Sequence, residues 1–318
     1  MNSRTFEALT LEIFVYQLLN NDVYREYCKL SGKNEVNVTR YTDIPFLPIE
    51  FFKTHRIIPE SYSAQKIFTS SGTSGQIPGK HHVHSLSLYE RSFLSGFDLF
   101  FGNPENYCIL ALLPSYAERS GSSLVYMMQK LMKASRHPLN NFYLDNYSGL
   151  SDVLIKLNEM NQKTILIGVT FALIELAEKY PVSLDHIMIM ETGGMKGKRA
   201  EITREEIHQI LTRSFHALKI YSEYGMTELL SQAYSTGEGR FHTPPWMKVL
   251  IRGLNDPFQV EDQNASGAIN IIDLANLDSC AFIATADLGK INNDGSFEVQ
   301  GRMDQSDVRG CNLMLELS

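Results

Sequence analysis

An α/β fold is predicted by two patterns in this sequence. Between residues 107 and 222, short apolar segments typical of buried strands alternate with segments of helical spacing, which is the arrangement of layered α/β domains. Beyond Pro244 the pattern changes to short strands separated by turns, which predicts a β-rich subregion. The hydrophobic content of 43% over 318 residues is sufficient to bury a core for such a fold.

The first 52 residues predict a helical segment followed by an irregular connector. Leu11, Phe14 and Leu18 repeat at helical spacing, and we expect the helix that begins near residue 5 to end near Gly32. Residues 46–52 combine bulky apolar side chains with neighbouring prolines, which predicts a connector packed onto the core.

The central part of the chain predicts alternating elements, and the last part predicts turns. We expect helices over residues 86–101, 171–179 and 201–215. We expect strands over residues 107–113, 163–169, 186–190 and 218–222. Turns are predicted at residues 255–257, 265–267 and 293–295.

Charge and cysteine usage exclude several classes of protein. The 29 basic and 36 acidic residues give a formal net charge of −7 without a basic block, so nucleic-acid binding is not expected. The longest apolar stretch, residues 165–177, is too short for a transmembrane segment, and the N-terminus does not resemble a secretory signal. Four scattered cysteines form neither a disulfide framework nor a C-x-x-C site, which favours a cytoplasmic location.

Residues 68–75 form the most informative segment. Hydroxyl side chains and glycines follow Phe68 and precede Lys80, so backbone N–H groups and hydroxyls of this loop can surround a polyphosphate. The loop matches neither G-x-x-x-x-G-K-[S/T] nor G-x-G-x-x-G, which indicates ATP binding by a different type of loop. A serine- and glycine-rich segment taken alone is most often an ordinary loop.

Two later segments follow in an order that strengthens the phosphate interpretation. Residues 221–228 come after a predicted strand, so their polar side chains are expected at a strand's carboxyl end, where open α/β sheets bind ligands. Residues 285–304 contain Asp287, Arg302 and Asp304. Together the three segments resemble the signature motifs of AMP-forming adenylate-forming enzymes, which activate a carboxylic acid as an acyl-adenylate and pass the acyl group to a thiol.

Further segments indicate a closer resemblance within that superfamily. They are Phe46-Leu47-Pro48-Ile49-Glu50-Phe51-Phe52-Lys53, Leu113-Pro114-Ser115-Tyr116, Gly121-Ser122-Ser123-Leu124, Thr192-Gly193-Gly194, Thr243-Pro244-Pro245-Trp246-Met247-Lys248-Val249 and Arg309-Gly310-Cys311. The combination is similar to the acyl-protein synthetase (LuxE-type) family, the component of bacterial fatty acid reductase that carries its acyl group on a cysteine near the C-terminus. The resemblance assigns that role to Cys311.

The resemblance also implies roles for individual residues. Glu228 would hold Mg²⁺, Lys80 would screen phosphate charge, and Asp287 and Arg302 would bind ribose or phosphate oxygens. Gly193 and Gly194 would leave room for adenine, and Tyr224 would stack on it. The implied nucleotide-binding set is Thr69, Ser70, Ser71, Gly72, Thr73, Ser74, Gly75, Gly193, Gly194, Tyr224, Gly225, Thr227, Asp287 and Arg302.

The resemblance predicts an adenylate-forming core over residues 1–300, with a helical segment over about residues 1–45, and a short tail over residues 301–318 that carries Cys311. The mobile C-terminal domain of the superfamily would be essentially absent. No lysine follows Lys290, so Lys80, Lys196 or Lys198 would replace the lysine that this domain normally supplies. Alternatively, another chain completes the site or the activity is slower.

Several of these residues also have ordinary structural interpretations. Glu228 is also compatible with a dipole-favoured place in a first helical turn, Asp294 with a hairpin turn, and Arg302 with a surface ion pair to Asp304. An isolated cysteine such as Cys311 is often a small buried hydrophobe, whereas thiolate chemistry needs exposure and a lowered pKa, for which Arg309 is a plausible neighbour.

Histidine and serine clusters suggest two further interpretations. His81, His82 and His84 have no acidic or cysteine partner at ligand spacing, so solvated or substrate-lining side chains are predicted instead of a metal site. Ser115, Ser122 and Ser123 follow a strand, but the absence of G-x-S-x-G from the sequence argues against an α/β-hydrolase.

The expected function is therefore an AMP-forming acid–thiol ligase that uses ATP and Mg²⁺. A fatty or other hydrophobic carboxylic acid would become acyl-AMP, and the acyl group would then reach Cys311, with an acyl-accepting or reductase protein as a possible partner. Transfer to CoA, a sugar or a carrier protein, and non-catalytic binding of nucleotide or acyl groups, are the alternatives. Phe93, Phe97, Tyr116 and Met128 are candidates for an acyl pocket, although core packing explains them equally well.

Overall fold

A computed structural model describes residues 2–70, 77–114, 121–193, 203–254, 256, 258–261 and 265–303. Eight α-helices lie within these residues: α1 (Ser3–Asn20), α2 (Asp22–Leu30), α3 (Phe51–Thr54), α4 (Leu86–Phe101), α5 (Ser123–Ser135), α6 (Tyr147–Glu159), α7 (Thr170–Lys179) and α8 (Arg204–Phe215). Short 3₁₀ turns occur at Tyr41–Asp43 and Pro104–Asn106.

Fourteen strands lie within the same residues. The first seven are β1 (Leu47–Pro48), β2 (Lys66–Thr69), β3 (Lys80–Val83), β4 (Cys108–Leu112), β5 (Asn141–Tyr143), β6 (Thr164–Gly168) and β7 (Ile187–Glu191). The remaining seven are β8 (Ile220–Tyr224), β9 (Ala233–Ser235), β10 (Phe241–His242), β11 (Met247–Arg252), β12 (Ser266–Asp273), β13 (Phe282–Ile291) and β14 (Phe297–Arg302).

One mixed sheet connects most of the strands in the order β11-β12-β13-β14-β10-β9-β8-β7-β6-β4-β5, with β1 beside β13. The strands β5, β4, β6, β7 and β8 are parallel, whereas β8 to β11 pair through antiparallel neighbours. Because parallel strands end at one edge, the segments after β7 and β8 lie side by side.

The strands β2 and β3 form a separate antiparallel pair, in which Thr69 lies opposite Lys80. The serine- and glycine-rich segment is therefore the connection of a β-hairpin. Its residues 71–76 lie outside the described residues.

Apolar residues form two cores, one for each half of the sheet. Helices α4 to α8 cover the parallel strands, which are buried on both faces as their continuous apolar runs require. Helices α1 and α2 pack on the antiparallel half, where Phe282 contacts Phe14 and Tyr24. Within the described residues, every helix is too short or too polar to cross a bilayer.

The structure confirms the predicted α/β class, and three predicted elements differ in extent. The single helix expected over residues 5–31 is two helices, because the Asn21 side chain accepts a hydrogen bond from Tyr24 N and begins α2. The strand expected to end at residue 222 continues to Tyr224. Ser266 and Gly267 lie in β12 instead of a turn, since Gly267 passes directly against the Arg252 carbonyl.

Candidate functional site

The two ends of the β2–β3 connection are held together by hydrogen bonds. Ser70 N donates to the Gly79 carbonyl oxygen over 3.0 Å, and Gly79 N donates to Ser70 Oγ over 2.8 Å. Thr69 N donates to the Gly121 carbonyl oxygen over 2.8 Å, and Lys80 is exposed on β3. Ser71, Gly72, Thr73, Ser74 and Gly75 lie outside the described residues, so their phosphate contacts stay predictions.

The Glu228 carboxylate lies against this hairpin. A Cβ atom added at Gly79 would overlap Glu228 Oε1 and would lie 3.3 Å from Ser70 Oγ. A side chain at position 79 would therefore push the carboxylate away from the hairpin. The fold thus brings together the first and second sequence motifs, which are separated by about 150 residues.

Glu228 is buried without an ion pair within 4.0 Å among the described residues. Burial raises the pKa of its carboxyl group to about 7, although its own backbone N–H and the positive charges of Arg302 and Lys53 oppose the increase. A buried carboxylate that lacks a close cation is suited to binding one from outside the protein.

Tyr224 connects the second motif with the third. Its hydroxyl donates to Asp287 Oδ2 over 2.8 Å, and Arg302 Nε lies 3.7 Å from Asp287 Oδ1. The Tyr224 ring packs edge-on against Phe241 and Phe297, with centroid distances of 5.9 and 5.4 Å. Tyr224 is thus a support for Asp287, and its predicted stacking on adenine stays a prediction.

The ends of β7 and β8 are joined by Thr192, whose hydroxyl donates to Glu223 Oε2. Burial raises the pKa of Glu223 to about 7, and the negative charge of Glu191 acts in the same direction. A Cβ at Gly225 would overlap Glu223 Oε1, so glycine at this position leaves room for the carboxylate. No individual role was predicted from the sequence for Glu191 or for Glu223, although Glu223 lies within the predicted site segment 221–228.

Glu191 lies beneath Gly193 and is surrounded by donors. It accepts hydrogen bonds from Thr170 Oγ1 at 3.1 Å, Gly193 N at 3.0 Å and Arg204 Nε at 3.2 Å. Burial disfavours its charge, but the neighbouring His208 ring, with Nε2 3.9 Å from Glu191 Oε1, and the positive charge of Arg204 lower its pKa to about 2. Glu191 is therefore ionised and fully engaged within the protein.

Gly193 is exposed at the edge of this arrangement. Its φ of +54° favours glycine, and a Cβ there would meet no atom of the described residues within 4 Å. The place of Gly193 beside adenine stays a prediction. Gly194 lies outside the described residues.

Lys53 is a further cation of this region. It is the last residue of the segment 46–53, and no role was predicted for it from the sequence. It lies on α3, half-buried, and follows Phe52, whose ring meets His81 edge-on at 5.6 Å. Its charge lowers the pKa of Glu228. Lys196 and Lys198, which were considered as substitutes for the missing lysine, lie outside the described residues.

His81 differs from its prediction as a solvated or substrate-lining residue. It is fully buried, and burial lowers the pKa of its ring to about 4. The expectation of a solvated side chain was wrong for His81, because β3 alternates and the face carrying His81 is covered by α3 and by the residues after β8. Its substrate-lining alternative stays a prediction. His84 stacks on Tyr62 at 4.2 Å.

Cys311 and Asp304 lie outside the described residues, so the acyl-carrier role of Cys311 and the interaction of Asp304 stay predictions. The other three cysteines are buried. Burial raises the pKa values of Cys28 and Cys108 to about 12, which opposes thiolate formation.

The described residues fit Mg²⁺ and ATP in chemical type. Glu228 and Ser70 Oγ supply the hard oxygen ligands that Mg²⁺ prefers, and Glu228 has no close cation of its own among the described residues. Asp287 and Arg302 offer an acceptor for hydroxyl groups and a donor for oxygen atoms on the same side of the sheet.

Solved structures with the same fold are adenylate-forming enzymes. A 2-hydroxyisobutyryl-CoA ligase with bound 2-HIB-AMP and CoA matches with a TM-score of 0.69 and 12% identity, over 95% of this chain and 70% of that one. O-succinylbenzoate coenzyme A synthetase (MenE) from Bacillus subtilis, with ATP and magnesium, matches with a TM-score of 0.52 and 18% identity, over 74% of this chain and 49% of that one. The chain spans about half the length of MenE and 47% of ATP-bound MatB from Rhodopseudomonas palustris.

Sequence comparisons find more specific similarities than the shared fold does. The family model described as "Acyl-protein synthetase, LuxE" matches residues 1–91. A long-chain-fatty-acid–luciferin-component ligase of Vibrio harveyi is 24% identical over 335 residues, covering 95% of this chain and 85% of the relative. The protein of the same name from Photorhabdus luminescens is 34% identical over 76 residues, which cover 23% of this chain and 65% of the relative.

These matches confirm the predicted adenylate-forming fold and the predicted resemblance to LuxE-type acyl-protein synthetases. Both relatives are named ligases, the class that was expected for this chain. The division into a core and a short tail is not tested by these comparisons and stays a prediction.

Proposed function

We propose that this chain activates a fatty or other hydrophobic carboxylic acid with ATP and then transfers the acyl group to a thiol. The observation that carries the proposal is the approach of the Glu228 carboxylate to Gly79 and Ser70 of the hairpin. It joins a carboxylate suited to Mg²⁺ to a segment suited to phosphate, in a fold shared with acid-activating ligases.

In the first step, a carboxylate oxygen of the acid attacks the α-phosphorus of ATP, and the bond to the departing pyrophosphate breaks. Bound Mg²⁺, held by Glu228, would neutralise phosphate charge. Asp287 and Arg302 orient the nucleotide, while Lys80 and Lys53 supply positive charge near the phosphates. The protein contributes mainly position and charge in such a reaction.

In the second step, a thiolate attacks the carbonyl carbon of acyl-AMP, forming a thioester and releasing AMP. Cys311 is our candidate for this thiolate. To form a thiolate, its thiol needs a lower pKa than the thiols of the buried Cys28 and Cys108. The mixed anhydride supplies the free energy, so the transfer needs no further co-substrate.

An apolar cavity bounded by Phe97, Met128, Met190 and Tyr234 lies between α4, α5 and the parallel strands, but its volume of about 10 Å³ holds no more than one water molecule. It is too small for an acyl chain, so an acyl pocket that includes Phe97 and Met128 stays a prediction. Phe93 and Phe97 are buried in the same core, so they have the core-packing role that was the alternative to an acyl pocket.

A pyrophosphate-exchange assay over acids of increasing chain length tests the first step. We expect exchange with the wild type and a loss of about 100-fold or more in Glu228→Ala, the size expected when a charge stabiliser of the reacting phosphate is lost. Glu12→Ala, which alters an exposed residue on α1, is the matched control and should retain exchange. ATP binding without exchange for any acid would support a non-catalytic binding protein instead.

Mass spectrometry after incubation with ATP and the preferred acid tests the second step. We expect an acyl adduct on Cys311 that hydroxylamine removes and that Cys311→Ser abolishes. Turnover that survives Cys311→Ser and depends on added CoA or a carrier protein would contradict the Cys311 assignment while leaving acid activation intact.

A further inference from the structure

Two consecutive backbone carbonyls, those of Thr227 and Glu228, are held by side chains from distant parts of the chain. His81 Nδ1 lies 2.8 Å from the Thr227 carbonyl oxygen, and Asn276 Nδ2 donates to the Glu228 carbonyl oxygen over 2.8 Å. A carbonyl oxygen can only accept, so Nδ1 of His81 carries a proton. The backbone of this turn is thus fixed at two adjacent points.

The two side chains that hold the turn are themselves firmly placed. Both are fully buried, and the His81 ring packs beside the Asn276 amide. With the proton of the neutral ring on Nδ1, the 3.1 Å approach of Nε2 to Asn276 Oδ1 is a packing contact between two acceptors and not a hydrogen bond. The Asn276 carbonyl oxygen accepts from Gln17 Nε2 over 3.0 Å, and Asn276 N donates to the Asp273 carbonyl oxygen over 2.9 Å. The arrangement therefore extends from α1 through the residues after β12 to the turn after β8.

The segment that carries His81 also approaches the Glu228 side chain. His81 lies on β3, and Gly79 directly precedes this strand, where an added Cβ would overlap Glu228 Oε1. One segment thus determines both where the Glu228 backbone lies and how closely its carboxylate approaches the hairpin. A loss of either carbonyl contact would leave a buried acceptor unsatisfied and allow the turn to shift.

We propose that His81 and Asn276 are positioning residues that hold the turn at residues 227–228 so that the Glu228 carboxylate faces the phosphate-binding hairpin. The proposal rests on the proposed function, in which Glu228 binds Mg²⁺ together with ATP. It assigns a role to a histidine and an asparagine that touch neither nucleotide nor metal.

The experiment measures the dissociation constant of ATP by calorimetry, once with Mg²⁺ and once with EDTA. The dissociation constant in EDTA divided by that with Mg²⁺ reports how much the metal contributes to ATP affinity. His81→Asn places an amide N–H near the position of Nδ1, whereas His81→Gln places it near Nε2. We expect the ratio in His81→Asn to remain within about twofold of the wild type, and the ratio in His81→Gln, His81→Leu and Asn276→Leu to fall about tenfold, since each of these three loses a buried hydrogen bond to the turn.

Thr164→Val is the matched control, because Thr164 is fully buried on β6 and its hydroxyl donates to the Gln162 carbonyl oxygen over 2.9 Å, away from this turn. It should lower the melting temperature without changing the affinity ratio. If the Leu variants do not fold, the His81→Asn and His81→Gln pair decides the question, since both keep a polar side chain.

A wild-type ratio well above one with unchanged ratios in His81→Gln and Asn276→Leu would overturn the positioning role. Equal losses with Mg²⁺ and with EDTA would also overturn it, since they indicate a purely structural role. A wild type that binds ATP equally with and without Mg²⁺ would instead contradict the metal site of the proposed function.

Discussion

Glu191 ends strand β7, and Glu228 lies in the turn after the neighbouring parallel strand β8. Both carboxylates are buried, yet their surroundings differ. Glu191 accepts hydrogen bonds from Thr170, Gly193 and Arg204, and its pKa is lowered to about 2. Glu228 has no ion pair within 4.0 Å among the described residues, and burial raises its pKa to about 7.

Under the proposed function, the difference separates a structural carboxylate, Glu191, from the carboxylate that we propose binds Mg²⁺, Glu228. The protein satisfies Glu191 with its own donors, so its charge stabilises the fold beneath Gly193. Among the described residues Glu228 faces the hairpin with no ion pair within 4.0 Å, and burial of its charge costs stability. Substitutions at the two positions should therefore change stability in opposite directions.

The largest expected effect is the loss of stability in Glu191→Gln. The substitution leaves the charge of Arg204 without a carboxylate in a largely buried setting, and we expect the free energy of unfolding to fall by about 3 kcal/mol at pH 7. Urea denaturation measures the change. A loss below about 1 kcal/mol would show that Glu191 is only weakly engaged.

The pH dependence of this effect follows from the lowered pKa. The folded carboxyl has a pKa of about 2, against 4.5 in the unfolded chain, so its stabilising contribution is present above pH 4.5 and is lost as the pH falls toward 2. The difference between wild type and Glu191→Gln should therefore shrink in acid.

Glu228→Gln should have the opposite effect on the free energy of unfolding. Since the folded pKa of Glu228 is about 7, above its unfolded value of 4.5, ionisation destabilises the fold as the pH rises from 4.5 through 7. Without Mg²⁺ or nucleotide, we expect Glu228→Gln to be more stable than the wild type by about 2 kcal/mol at pH 8, and equally stable near pH 4.

Thermal unfolding in EDTA at both pH values measures this effect, with Glu12→Gln as the exposed control. A Glu228→Gln protein that is less stable than the wild type at pH 8 would break the contrast between the two carboxylates, because Glu228 would then be satisfied internally.

A smaller effect is expected from Lys53→Met, which removes a positive charge that acts on Glu228. If Lys53 also assists phosphate binding, kcat/KM for pyrophosphate exchange should fall about tenfold, equivalent to one charge-assisted hydrogen bond. Lys156→Met, on the exposed face of α6, is the control. Equal activity in both variants would remove Lys53 from the site.

The smallest effect is expected from Tyr224→Phe. The ring keeps its packing against Phe241 and Phe297, but Asp287 loses a hydrogen bond of 2.8 Å. We expect ATP affinity to fall about fivefold, corresponding to about 1 kcal/mol, with a smaller preference for ATP over 2′-deoxy-ATP. An unchanged preference would show that the hydrogen bond from Tyr224 does not affect how Asp287 binds the ribose 2′-hydroxyl.

Much of the architecture was predictable because apolar periodicity decides whether a segment can be buried as a strand or a helix. Residues 86–101 form α4 as predicted, and β4, β6, β7 and α7 lie within one or two residues of their predicted bounds. The break at Asn21 was missed because the apolar pattern continues across it, while the interruption depends on one side-chain hydrogen bond.

The site was predictable only where a residue type is unusual for its position. The hairpin hydroxyls, Glu228, Asp287 and Arg302 belong to motifs that can be read along the chain. Glu191, Glu223, His81 and Asn276 cannot be found in this way, because their roles depend on contacts with segments far away in sequence. Carboxylates at the ends of apolar strands were the available signal for Glu191 and Glu223.

The sequence by itself determined the α/β class, the order of most elements and the motifs that resemble LuxE-type acyl-protein synthetases, since these depend on periodicity and local residue type. Only the tertiary structure decided that Glu191 is held by donors of the protein itself, and that Glu228 faces the hairpin with no ion pair within 4.0 Å among the described residues. The reason is physical: burial and the distance to partner charges set the cost of a charge, and both are properties of the folded chain.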